Sequence, residues 1–196
     1  FGKHLSLMGL MTKVAGRIDY LIVFHFLGAA PLASYLFAKA LPKELQSVNK
    51  VIKTLTLPKF SGRSLESIKK QIVHKAIVLF LFYLVIAGLY ILAAPFIFKA
   101  VFPQYLDAVI YSQVLALTLL FSPSVLFNTA LVAHMSKKEL YILSTIIPLV
   151  RIVSMLIAIP LYGIWGAIVV TVFIDAVRLI LLVFLFFNNK QIDLSR

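Results

Sequence analysis

Two stretches of this chain, residues 76–98 and 108–133, run without a single charged side chain. Each exceeds the roughly 20 residues that a helix, rising about 1.5 Å per residue, needs to cross the ~30 Å hydrocarbon core of a bilayer. No water reaches that core, so every backbone N–H and C=O must be satisfied inside the structure, and such runs fold as bundled helices. Two further runs, 140–161 and 164–187, match them in length but carry Arg151 in one and Asp175 and Arg178 in the other. Hydrophobic residues make up 62% of the chain. Soluble domains hold about 45–50%, so lipid is the solvent that the chain as a whole suits.

Two weaker runs complete the pattern. Lys13, Arg17 and Asp19 interrupt residues 5–27, and the second half of residues 32–57 is polar. A five-span alternative fuses residues 18–38 into one helix, but Gly28-Ala-Ala-Pro31 is a turn signal in its middle. The expectation is an all-α polytopic membrane bundle, one domain over residues 1–196. Its six transmembrane helices fall at 5–27, 32–57, 76–98, 108–133, 140–161 and 164–187. Six spans put the start, residues 58–75, residues 134–139 and the tail on one side, with Lys59, Arg63, Lys69, Lys70, Lys75, Lys137 and Lys138 among their cations. The opposite loops hold only Lys99 and Asp107. That asymmetry orients both ends to the cytoplasm. The chain starts at Phe1 with no pattern of a cleaved signal, which suggests a piece of something longer.

The charges inside the apolar runs carry the functional reading. Arg151 and Asp175 each lie about 12 residues from the turn Tyr162-Gly163, roughly 18 Å along a helix, and so near the membrane midplane. A charge there costs about 3 kcal/mol on insertion scales and faces a bundle interior or a wet cavity. Two readings stand: Arg151 and Asp175 pair to lock a hairpin, with Arg178 as a rival partner for Asp175, or they line a hydrated path. Lys39, Lys43, Gln46, Lys50 and Lys53 recur at helical spacing and share one face. Such a stripe either lines a path that attracts phosphate and acidic sugars or lies on anionic headgroups with its lysines snorkelling. Arg17 falls near the midplane of the first run, while Asp19 points elsewhere and either meets a cation on a neighbouring helix or neutralises charge between packed helices. The candidate binding set is Arg17, Lys39, Lys43, Lys50, Lys53, Arg151 and Arg178, with Asp19 and Asp175 for coupling or charge pairing.

Other chemistries find little support. The formal net charge of +12 comes from cations spaced between or along apolar runs, which favours anionic lipid headgroups over nucleic acid. There is no cysteine, and His4, His25, His74 and His134 show no metal-ligand spacing. Neither a phosphate-binding Gly-rich loop nor a Gly-x-Ser-x-Gly elbow occurs, so no enzyme, cofactor or metal is expected.

The order of features resembles a known family. Arg17-Ile-Asp-Tyr-Leu-Ile22 is followed by Phe26-Leu-Gly28, Tyr35 and Ala38, then by Leu57-Pro-Lys-Phe-Ser61 and a basic linker; Pro160-Leu-Tyr-Gly-Ile-Trp-Gly-Ala167 joins the last two spans. This is similar to the C-terminal half of the polysaccharide (O-antigen and capsule) flippases of the multidrug/oligosaccharidyl-lipid/polysaccharide exporter superfamily. The resemblance implies one lobe of a two-lobe, alternating-access transporter in the bacterial cytoplasmic membrane, with the N-terminal lobe missing from this chain. It further implies an undecaprenyl-pyrophosphate-linked oligosaccharide as substrate, met by cationic side chains in the cavity. Rival readings are an ion-coupled drug exporter using Asp19 or Asp175, a glycan polymerase or ligase, and a non-transporting scaffold.

Overall fold

The computed structural model describes residues 17–134 and 136–188, and every regular element in it is helical. Helix α1 covers residues 17–27 and α2 runs Ala29–Leu45. Between them stands Gly28 at φ +87°, a backbone state that side chains with a Cβ resist. Pro31 follows within the first turn of α2, where its missing N–H would have had no helical partner. The chain folds back there, and the α1–α2 hairpin lays Asp19 beside Lys39.

Gln46 and Ser47 join α2 to α3 (Val48–Ser61) through tightened bonds such as Ser47 N–H to Glu44 C=O, 2.9 Å. The Ser64 hydroxyl caps α4, Leu65–Val101, by accepting from the Ser67 N–H. At 37 residues α4 is about 55 Å long, far more than a bilayer core requires. Its first turns carry Glu66, Lys69, Lys70 and Lys75, so much of the basic linker is helix continuing out of the apolar run rather than loop. Helix α5 (Ala108–Ala116) gives way to a 3-10 segment, Leu117–Phe121, before α6 (Ser124–Ala133). Pro123 has no N–H to offer at that break, and the two halves are bent by 43°. Helices α7 (Lys137–Tyr162) and α8 (Ile164–Phe187) form the expected hairpin about Gly163, at φ +59°.

The span count differs from expectation. Among the described residues three helices, Glu66–Val101, Lys138–Tyr162 and Ile164–Phe187, are long and apolar enough to cross a membrane, and the bent pair Ala108–Phe121 with Ser124–Ala133 adds a fourth if it is counted as one span. The expected second span divides into α2 and α3, 17 and 14 residues long, both rich in lysine. The expected first span begins in residues 5–16, Lys13 included, which lie outside the described residues, and the 11 described residues of α1 are too few to cross.

Packing is lopsided in the way lipid permits. Helix α4 buries one stripe, Tyr83, Ala87, Tyr90, Ala94 and Phe98, and turns Leu92 (72% exposed) and Phe96 (76%) outward. An exposed apolar face this large needs a non-aqueous neighbour. Inside, Val23, Tyr35, Met155, Ile159 and Ile168 form a core shared by α1, α2, α7 and α8. A second core, with Phe127, Leu131 and Phe186, joins α3, α4, α6 and the end of α8.

Candidate functional site: a cationic cavity at the centre of the bundle

Helix spacing sets the level of the site. Asp19 precedes Gly28 by 9 residues and Lys39 follows it by 11, so the hairpin brings them to one height. Lys39 Nζ lies 3.2 Å from Asp19 Oδ2 and donates to it. Arg151, on α7, brings its Nε to 3.4 Å from the same oxygen. Asp19 is fully buried, and its Oδ1 has no hydrogen-bond partner. Two cations on two other helices thus offset the burial of one carboxylate, which would otherwise cost several kcal/mol.

Lys39 is held from three further directions. Its ammonium donates to Tyr35 Oη at 3.3 Å and stands 5.2 Å from the ring centres of both Tyr20 and Tyr35. Aromatic faces at that distance attract a cation. Thr171 donates its hydroxyl to Ala167 C=O at 2.8 Å, so the 3.2 Å contact with Tyr35 is a bond that Tyr35 donates. The result is one polar chain, Arg151–Asp19–Lys39–Tyr35–Thr171, crossing α7, α1, α2 and α8. Tyr35→Phe removes its middle link. The expected loss is about 1–2 kcal/mol in unfolding of the purified protein, because Lys39 keeps Asp19 and Thr171 keeps Ala167. An unchanged midpoint would show that the chain contributes nothing to stability.

Beside this network opens a cavity of about 1110 Å³. Of the residues expected from the sequence, it brings together Arg17, Lys39, Lys43, Arg151, Arg178 and Asp175. Tyr20, Gln46, Thr118 and Thr171 complete the polar lining. Among the described residues, Arg17, Lys43, Arg178 and Asp175 have no ion-pair partner within 4.0 Å. Neither Arg151 nor Arg178 comes within 4.0 Å of the Asp175 carboxylate, and the ion pair that Arg151 makes is with Asp19. Five cations therefore face the cavity against Asp175, with Asp19 behind the wall. The volume lies just above the about 300–1,000 Å³ usual for small-molecule sites.

Lys50 and Lys53 do not belong to this site. Both are exposed on α3, 11 and 14 residues past Lys39, which is about 16–21 Å farther along the chain's helical path. The stripe that looked continuous is divided at Gln46–Ser47, and only its α2 half lines the cavity. Tyr20 and Thr118 were missed because a tyrosine or threonine within an apolar run reads as packing. No group of three or more His, Asp or Glu able to hold a metal occurs among the described residues.

Fold and site together define a helical bundle with three helices long and apolar enough to cross a membrane and an open cavity lined by cations. Comparison of the chain with protein-family models, with curated proteins and with solved structures finds no match.

Proposed function

We propose that the chain is one lobe of a flippase that moves a lipid-linked oligosaccharide across the bacterial cytoplasmic membrane by alternating access. The observation that carries this reading is the open cavity lined by Arg17, Lys39, Lys43, Arg151 and Arg178, of which Arg17, Lys43 and Arg178 are exposed and have no ion-pair partner within 4.0 Å among the described residues. A pyrophosphate entering hydrocarbon alone meets a desolvation cost of tens of kcal/mol; cations held in a hydrated hollow replace much of the lost hydration. The prenyl tail stays in lipid, against the apolar outer faces of α4 and α7, while the head group passes inside. The basic turns at the start of α4 face the cytoplasm and meet anionic headgroups. A second lobe, carried by the same native chain, closes the open side.

A scaffold whose charges only zip helices together would hold them between packed helices, whereas Arg17, Lys43 and Arg178 are exposed along the cavity and have no ion-pair partner within 4.0 Å among the described residues. An ion-coupled exporter of cationic drugs meets repulsion from the same three. If transport is ion-coupled, Asp175 is the carboxylate available for it, since Asp19 is already held by two cations.

The test is export of surface polysaccharide in cells that depend on this gene. Arg151→Ala and Lys43→Ala lower export at least 10-fold with normal membrane levels, whereas Lys50→Ala and Lys53→Ala leave it unchanged. Normal export by Lys43→Ala, a side chain with no ion pair to lose, removes the cavity from the transport path.

A further inference from the structure

Where α5 gives way to α6, a second and smaller hollow opens off the main cavity. It holds about 100 Å³ and shares Gln46, Thr118, Asp175 and Arg178 with its larger neighbour. Asn49, Ser122 and the aromatic Phe121 complete the part of its wall that matters here. A single water needs about 10–15 Å³, so the hollow has room for several hydroxyl-sized groups.

The hydrogen-bonding capacity left over in this wall is specific. Gln46 donates Nε2 to Thr118 Oγ1 at 2.8 Å, which leaves its Oε1 as an acceptor. Asn49 accepts from the Tyr83 hydroxyl at 2.8 Å, which leaves its amide N–H groups as donors. Thr118 spends its own proton on the Leu115 carbonyl. Asp175, an acceptor, and Arg178, a donor, have no ion-pair partner within 4.0 Å among the described residues. Donors and acceptors of both charge signs therefore surround one small volume. A bare cation there would face the Arg178 guanidinium, and a bare anion would face the Asp175 carboxylate. A group that donates and accepts from adjacent atoms meets both, as vicinal hydroxyls of a sugar do.

We infer that this hollow is a subsite for one neutral, hydroxyl-bearing sugar ring of a head group whose anionic part lies among the cations of the main cavity. The inference rests on the transport reading for the anionic part and adds the residues that read the glycan: Asn49, Gln46, Asp175 and Arg178. The small volume limits the subsite to one ring edge, so it distinguishes sugars by the placement of neighbouring hydroxyls.

Equilibrium binding to the full chain in lipid nanodiscs tests this. The probes are farnesyl diphosphate and farnesyl diphosphate bearing glucose, galactose or N-acetylglucosamine. Free monosaccharides followed by saturation-transfer NMR read the hollow without the diphosphate. At least one sugar-bearing probe binds about 10-fold more tightly than farnesyl diphosphate. Asn49→Ala and the isosteric Asp175→Asn abolish that gain. Equal binding of bare and sugar-bearing probes by the wild type, or a gain that survives both substitutions, overturns the subsite while the transport reading stands. Failure of farnesyl diphosphate itself to bind sinks the transport reading; the hollow is then decided by whether monosaccharide signals appear and vanish in Asn49→Ala and Asp175→Asn.

Discussion

Asp19→Ala destabilises the purified protein by about 3 kcal/mol and strips it from the membrane, the largest loss expected from any single charge in this chain. The reason is an imbalance rather than a missing bond. In the native fold Lys39 and Arg151 both approach one oxygen of Asp19, at 3.2 and 3.4 Å. Remove the carboxylate and two partly buried cations face each other across the space it filled. Breaking a buried pair from one side costs about 3–5 kcal/mol. The lower figure applies because the Lys39 and Arg151 side chains keep 18% and 19% of their surface exposed on the cavity side, where water can reach them. Asp19→Asn, which keeps an acceptor for Lys39 but not the charge, falls between alanine and wild type. Lys39→Met alone is milder, since Arg151 still answers Asp19. The decisive comparison is the double variant Asp19→Ala with Lys39→Met, measured by denaturant unfolding against both singles. Residues in one network couple by about 0.5–3 kcal/mol. The double variant is therefore less damaged than the sum of its parts, and strict additivity would mean that the three charges are not one unit.

How much of this arrangement was legible in the sequence depends on which coordinate is asked for. Depth was legible. Apolar runs of spanning length, with Gly163 between them, set Arg151 and Asp175 at one level, and Gly28 with Pro31 marked the other hairpin. Azimuth was not. Two residues at the same height pair only if both helices are rotated to face each other, and counting residues from a turn carries no information about rotation. Arg151 turns toward α1, so its partner is Asp19, 132 positions away in sequence, and not the level neighbour Asp175. The lysine stripe failed for a related reason. A helical wheel assumes one unbroken helix, and the bonds at Gln46–Ser47 show a tightened junction that takes Lys50 and Lys53 out along α3. The polar hollow at the helix break was hidden differently. Pro123 breaks the helix there, but which side chains such a break exposes depends on what α2, α3 and α8 present opposite it.

Gly166→Ala opens the α7–α8 hairpin at its root, and its cost is expected to approach that of losing Asp19. Gly166 lies three residues past the Gly163 turn, with the backbone of Ala158 on the facing helix close against it. A Cβ built there would stand 2.6 Å from the carbonyl carbon of Ala158 and 3.1 Å from the Ile159 nitrogen, with the Ala158 carbonyl oxygen nearer still. Every atom in the way is backbone, so no rotamer can yield and the helices must separate. Forcing one extra methyl into a packed contact costs about 1–3 kcal/mol, and a rigid backbone on both sides argues for the upper end. The displacement also reaches the site. Thr171 and Asp175 stand farther along α8 and Arg151 farther along α7, so parting the root shifts the cavity walls relative to each other. Gly88→Ala supplies the control: Gly88 is exposed on α4, nothing lies within 4 Å of the added methyl, and alanine there is neutral or stabilising by about 0.5–1 kcal/mol from helix propensity. Unfolding midpoints of the two variants, measured side by side in one detergent, decide the matter. If Gly166→Ala is as harmless as Gly88→Ala, the close approach of α7 and α8 is wrong, and with it the relative position of Arg151 and Asp175 on which the cavity depends.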